Sequence, residues 1–302
     1  MTDGTPTGLR DLAEAVPADR PYGRRAWFPG EAFRRRAEIA IGGTLLAAMV
    51  LLALLTPYLV TGDPRALAPG SRLLPPSAAH WFGTDPLGRD LFVRVLYGAR
   101  ISLLVGFSVA FLSSLLGCFV GMVSASGKRI DAVVMRIMDG VMSIPAILLA
   151  IALMAVTGGS VVNVIIAVTI VEIPRVARLV RSVVLSLREQ PYVEAAVAAG
   201  TSRARIVVRH LLPGIVGPLI VQATFVWATA MILEAALSFI GAGTPPSTPS
   251  WGNIMADGKA LWQVRPLMIF IPAAFLSVTL LAVNMLGDGL RDVLDPAQPS
   301  NL

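Results

Sequence analysis

The chain has 302 residues, 55% of them hydrophobic and 15% charged, against about 25% charged in an ordinary globular protein. A mean hydropathy of +0.71 leaves too little polar surface to clothe a water-soluble fold of this size, so most of the exterior must face lipid. The 25 basic residues exceed the 19 acidic ones, for a net charge of +6; nucleic acid, a membrane surface and a cytoplasmic face all draw such an excess, and position must decide.

In chain order, residues 1–38 form a polar, arginine-containing tail. The apolar run that follows is long enough to span a bilayer, so no cleaved secretory signal is expected. Five stretches lack Asp, Glu, Lys and Arg over about 20 residues, the length of a spanning helix: Ile39 to Val60, Ile101 to Gly127, Gly140 to Val171, His210 to Leu233, and Pro266 to Gly287. The third is too long for one crossing and is interrupted at Thr157-Gly158-Gly159-Ser160, so it splits into two helices near 132–157 and 161–180. The expectation is an all-α integral membrane protein of six transmembrane helices. Cys118, the one cysteine, lies within an apolar run and rules out an intrachain disulfide.

Six crossings put both termini on one side, and the positive-inside rule makes that side cytoplasmic. With this orientation 18 of the 25 basic residues lie inside, including Arg175, Arg178, Arg181, Arg188, Arg203, Arg205 and Arg209 between the fourth and fifth helices. Topology thus accounts for the excess charge, and no basic domain is left to bind nucleic acid. The expected layout is a cytoplasmic tail (1–38), a first helix (39–60), an extracytoplasmic loop (61–98), a five-helix core (99–289) and a cytoplasmic C-terminal tail (290–302). A second outer loop, 238–265, carries Pro245-Pro246, Trp251 and Trp262; Trp27 and Trp262 are read as interfacial anchors.

Within the core, the charged segment 188–209 contains Tyr192-Val193-Glu194-Ala195-Ala196-Val197-Ala198-Ala199-Gly200-Thr201-Ser202-Arg203, and ends in Arg209-His210-Leu211-Leu212-Pro213. Glu194 to Ala199 favours helix, Gly200 suits a left-handed C-cap, and Thr201 or Ser202 can cap a second short helix. This pattern resembles the EAA loop of ATP-binding-cassette (ABC) importer permeases, with Gly200 six residues after Glu194 and Leu212-Pro213 at the end. Gly83-Thr84-Asp85-Pro86-Leu87-Gly88-Arg89-Asp90, Tyr97-Gly98-Ala99-Arg100, Met138-Asp139, Ile144-Pro145, Glu234-Ala235-Ala236-Leu237-Ser238, Trp251-Gly252 and Asn284-Met285-Leu286-Gly287-Asp288 resemble the C-type subunits of oligopeptide and dipeptide (Opp/Dpp) permeases. The likeness runs from about residue 35 to 297.

The resemblance implies a type I importer permease with a MetI-like core in the cytoplasmic (inner) membrane, moving peptides. It further implies a second homologous permease, two ATPase subunits and an extracytoplasmic substrate-binding protein docked on 61–98 and 238–265. Nickel chelates, glutathione and haem are the other cargoes of the branch. Tyr192, Glu194, Ala195, Ala196, Gly200, Thr201, Ser202 and Arg203 are implied to couple the chain to the ATPases. The sequence holds no phosphate loop, since Gly127-Lys128 is followed by Arg129 at the wrong spacing, so ATP and Mg belong to partner chains and this subunit is expected to be non-catalytic with no bound cofactor.

Ionisable groups in or near spans are costly in lipid and need partners or a cavity. Arg136 and Asp139, three apart, are expected to pair; Glu172, Arg175, Arg178 and Arg181 read as an anchor at the cytoplasmic end. Glu234, Gln222, Asn163 and Asn284 are candidates for the pathway or a gate. Gly117 and Gly121 form a GxxxG pair for close helix packing. His80 and His210 fall on opposite sides of the membrane, so no metal site is expected. A membrane-embedded protease would need a nucleophile with a base, paired intramembrane aspartates or a His-Glu-x-x-His helix, and none is found. A gradient-driven transporter usually shows an internal repeat, also absent.

Overall fold

The computed structural model describes residues 29–294, which are helical apart from the long loop 60–90 and shorter connections. Trp27 and residues 295–302 lie outside the described residues. The helices are α1 (Pro29–Leu59), α2 (Leu91–Ser124), α3 (Lys128–Met142), α4 (Ala146–Thr157), α5 (Val161–Arg188), α6 (Pro191–Ala198), α7 (Arg203–Ile206), α8 (Leu212–Phe239), α9 (Trp251–Gly258) and α10 (Leu267–Leu294). Four continuous helical stretches, 37–59, 91–124, 203–239 and 267–294, are long and apolar enough to cross a bilayer. The pair α3 and α4 meets the same test only when taken together across a sharp bend, and α5, 28 residues long, carries Glu172, Arg175, Arg178 and Arg181 in its second half.

Two expectations about these boundaries are corrected. The helix placed near 132–157 is two helices, α3 and α4, bent by 88° at Ser143-Ile144-Pro145. Proline cannot donate an amide hydrogen bond and drives the residue before it out of the helical region, so the chain turns there. The segment placed as an outer loop at 61–98 is non-helical only to Asp90, which accepts from the Val93 amide at 3.1 Å and starts α2 at Leu91, so its last eight residues are helix.

Without water between them, helices in lipid gain little from the hydrophobic effect and associate by close van der Waals packing and polar contacts. The longest contact in the bundle joins α2 to α5. A Cβ on Gly117 would sit 2.6 Å from Val176 Cβ, and one on Gly121 would sit 2.6 Å from the Ala177 carbonyl oxygen. Their missing side chains let the two backbones approach. Around this seam lies a core of Val105, Val109, Val164, Val168, Val176 and Val180; a second core joins α1, α2, α9 and α10 through Leu46, Leu91, Val95, Trp251, Ile254 and Val283.

Charges fasten the elements that the seam leaves loose. Arg178 reaches Asp139 at 2.8 Å and Arg181 forms a two-point pair with Asp131, so α3 is clasped to α5. Asp139 therefore pairs across helices and not with Arg136 on its own helix. Ser124 Oγ also donates to Asp131 Oδ1, so the end of α2 joins the same clasp.

At the opposite end a buried cluster ties the loop before α2 to α9. Asp85 Oδ1 accepts from the amides of Leu87 and Arg89, and its Oδ2 accepts from Arg89 Nε and Arg94 Nη1, both at 2.6 Å. Asp257 Oδ2 accepts from the same two arginines at 2.9 and 2.7 Å. Two cations meet two anions, so the burial leaves no net charge. Gly88, at φ +77 and in contact with the Ala68 carbonyl, supplies the left-handed turn between Asp85 and Arg89.

Two predictions follow from this packing, both read as thermal unfolding of the purified protein in detergent. Gly121→Ala overpacks the α2–α5 seam and costs about 1–3 kcal/mol, whereas Gly140→Ala on α3, with open space around it, costs nothing and gains roughly 0.5 kcal/mol from helix propensity. Asp85→Asn leaves two buried arginines to share the single carboxylate of Asp257 and costs about 3–5 kcal/mol, while Asp257→Asn, at a position 28% exposed, costs less.

Candidate functional site

The segment between α5 and α8 is built as a short projection from the arginine-rich end of the bundle. Pro191 occupies the first turn of α6, where its missing N–H is no loss, and Glu194 in the same turn complements the helix dipole. The helix stops at Gly200, whose φ of +75 allows the Thr201 amide to reach the Ala196 carbonyl at 3.1 Å and its own amide to reach Val197 at 3.0 Å. This paired C-cap needs a left-handed residue at that one place. Ser202 then stands at the N-cap position of α7, without a side-chain cap bond.

One side chain roots α6 in the protein: Val193 is 2% exposed and belongs to the same core as Val180 and Leu211. Tyr192 packs its ring 6.2 Å from His210. Arg188 donates to the Ala125 carbonyl, tying the end of α5 to the end of α2. The remaining face is open. Tyr192 is half exposed, and Glu194, Ala195, Gly200, Ser202 and Arg203 are exposed, with Ala196 and Thr201 intermediate. No ion pair involves Glu194 among the described residues. The result is a rigid, capped helix with one carboxylate beside alanines, a surface able to seat in a groove with a basic residue.

Beyond α7 the backbone runs through a π-helical turn, Val207–Leu211, into α8. The Leu212 amide reaches back five residues to the Val207 carbonyl, and Pro213 follows with no amide to offer. The wide turn lies where proline removes a rung of the normal ladder.

The four pathway candidates are in separate surroundings, and no hydrogen bond links any two of them among the described residues. Glu234 is fully buried on α8, accepting from Ser238 Oγ at 2.8 Å and Ser102 Oγ at 3.2 Å; Ser102 also accepts from the Trp251 amide. It joins α2, α8 and the start of α9. Asn163 donates to the Thr157 and Gly158 carbonyls at 2.7 and 3.0 Å and closes the α4–α5 hairpin. Gln222 lines a cavity of about 390 Å³ with Leu179, Phe225 and Arg291 near the α6 end. Asn284 is half-buried on α10. His80 pairs with Asp90 at 2.7 Å, while His210 lies against Tyr192; the two imidazoles serve different ends of the bundle. Sequence spacing does not reveal the Asp85–Arg94–Asp257 cluster as a unit, because Arg94 and Asp257 are 163 residues apart in the chain.

Residues 113–298 match the family described as the inner membrane component of binding-protein-dependent transport systems. The chain is 50% identical over 263 residues to a probable peptide ABC transporter permease of Sinorhizobium fredii, covering 87% of this chain and 90% of that one. It is 41% identical over 274 residues to the dipeptide transport system permease DppC of Alkalihalophilus pseudofirmus, covering 89% and 90%. Among solved structures, inward-facing MetNI methionine ABC transporter superposes with a TM-score of 0.57 at 22% identity, over 68% of this chain and 96% of that one. The last likeness shows the fold, a type I importer core. The chain therefore belongs to the binding-protein-dependent transport family of inner membrane components, as a permease of the oligopeptide and dipeptide ABC branch.

Proposed function

We propose that this chain is one of two permease subunits of an ATP-driven importer that carries peptides across the cytoplasmic membrane, with α6 as its grip on a partner ATPase. The observation that carries the reading is the exposed, doubly capped helix α6, rooted by Val193 and bearing an unpaired Glu194, in a chain half identical to a probable peptide permease. The relatives' names support peptides as the cargo. The crowding of Lys128, Arg129, Arg188, Arg203, Arg205 and Arg209 at the α6 end supports placing that end, and both termini, in the cytoplasm.

In this reading ATP and Mg stay on the two ATPase subunits, and the chemistry of hydrolysis happens there. Closure of the ATPases displaces α6. The Arg188–Ala125 link and the α2–α5 seam pass that displacement to the bundle as a rigid-body motion, while the π-helical turn gives α8 its own pivot. The peptide passes between this permease and its homologous partner. A substrate-binding protein delivers it at the opposite end, over 61–90 and 240–266, where Trp81, Trp262 and Val264 are exposed.

Reconstitution of the full complex in vesicles tests the coupling. Glu194→Arg places like charge against the basic groove, and Gly200→Pro removes the left-handed cap; each lowers ATP-driven peptide uptake at least roughly tenfold while ATP hydrolysis and membrane insertion persist. Normal uptake by both variants rules out α6 as the grip. In the same vesicles, the unaltered complex takes up peptide with ATP inside the ATPase compartment and no ion gradient; uptake that follows a proton or sodium gradient and ignores ATP contradicts the importer reading.

A further inference from the structure

A cavity of about 1150 Å³ forms a groove between α1 and α2, with Trp227 of α8 among its lining. Its walls are apolar, built from Val50, Leu54 and Pro57 on one side and Leu104 and Phe107 on the other. Leu54, Leu104 and Phe107 are about half exposed or more, so the groove opens along the side of the bundle and not into its core. Its charged groups lie together at one end: Asp63 and Arg65 just past α1, and Arg100 on α2.

That end is a membrane boundary on both walls. The charge-free stretch of α1 stops at Val60, and that of α2 begins at Ile101. From there the groove descends over Val60 to Val50, about 15 Å of helix at 1.5 Å per residue. Half of an approximately 30 Å hydrocarbon core is the same distance. The groove thus has the depth of one leaflet, with charge at headgroup level and hydrocarbon below.

The mouth is net positive, since Arg65 and Arg100 face the single carboxylate of Asp63, and Asp63 Oδ1 already accepts from the Arg65 amide at 2.9 Å. Arg65 is fixed by a bond from its Nε to the Ser247 carbonyl at 3.1 Å. Arg100 stacks on the Tyr97 ring at 5.9 Å and forms no ion pair among the described residues. A cation at the interface without an acidic partner, above an apolar trough of leaflet depth, matches an amphiphile with an anionic head.

We propose that this groove is a binding site for one anionic phospholipid of the outer leaflet, its phosphate held by Arg100 and its acyl chains laid against Leu54, Leu104, Phe107 and Trp227. The site joins α1, the loop at Arg65 and the Ser247 loop to the core. Its occupant therefore braces the first helix against the elements proposed to receive the binding protein.

Trp227 serves as the reporter. The full complex is placed in nanodiscs of phosphatidylcholine and phosphatidylglycerol with dibrominated acyl chains on one species at a time, and the Trp227 fluorescence is isolated by difference with Trp227→Phe. At equal bromine content, brominated phosphatidylglycerol quenches this component with about fivefold preference, the factor one arginine confers near an anionic headgroup. Arg100→Gln abolishes the preference, and Arg100→Lys retains most of it. Native mass spectrometry supplies a count independent of the tryptophan variant: Arg100→Gln loses one bound phosphatidylglycerol. Equal quenching by both lipids reduces the groove to ordinary lipid contact and overturns the site. Absence of quenching by either lipid shows the groove filled by protein, such as a helix of the second permease, and overturns it as well.

Discussion

The fold depends on the close approach of α2 and α5. In a bilayer neighbouring helices are no more apolar than the lipid they displace, so affinity must come from how closely backbones can pack. Gly117 and Gly121 give α2 a bare strip against Val176, Ala177 and Val180. α5 leads into α6 through Glu189 and Gln190, and Arg188 donates to the Ala125 carbonyl just past the end of α2, so α6 is attached to this same pair. The same pair anchors α3 through two ion pairs and packs against α8, so a bent, weakly buried element acquires a fixed position.

Scarcity of charge makes each remaining charge informative. At the arginine-rich end, Asp131 and Asp139 spend their charge on α5, whereas Glu194 and several arginines remain open on the surface. At the opposite end Asp85, Arg89, Arg94 and Asp257 close upon one another, giving a stiff cap in place of a loose loop. Glu234 has hydroxyl partners only, and through Ser102 and Ser238 it binds that cap to the spanning helices. The buried cluster at one end thus balances its own charge, whereas at the other end Glu194 and several arginines stay on the surface.

Much of this was legible in the sequence. Charge-free runs located the spanning segments because lipid excludes charge along the whole length of a helix, and the Glu194-to-Gly200 spacing announced a capped helix because only glycine accepts the left-handed cap cheaply. The break at Ser143 to Pro145 was legible but not read: the run from Gly140 to Val171 was divided at its glycines, while Pro145 also marks a stop. Partners between helices were not legible. Arg136 and Asp139 share a helical face, yet Asp139 turns to Arg178, a choice set by the α3–α5 crossing and not by spacing. Likewise nothing local joins Arg94 to Asp257. For the candidate site, the capped helix α6 was legible because it is a local motif, whereas the surroundings of Glu234, Gln222, Asn163 and Asn284 are tertiary facts.

The central claim is that α6 and the α2–α5 pair move as one body when ATP acts. The direct measurement is the distance between spin labels at Val197 on α6 and Leu116 on α2, both exposed, in the reconstituted complex with Cys118 replaced by alanine. If α6 moves with the α2–α5 pair, the labels give a single narrow distance, unchanged between the nucleotide-free and ATP-bound states. A shift or a broad split of that distance on ATP binding would show α6 swinging independently of the bundle and would contradict the account.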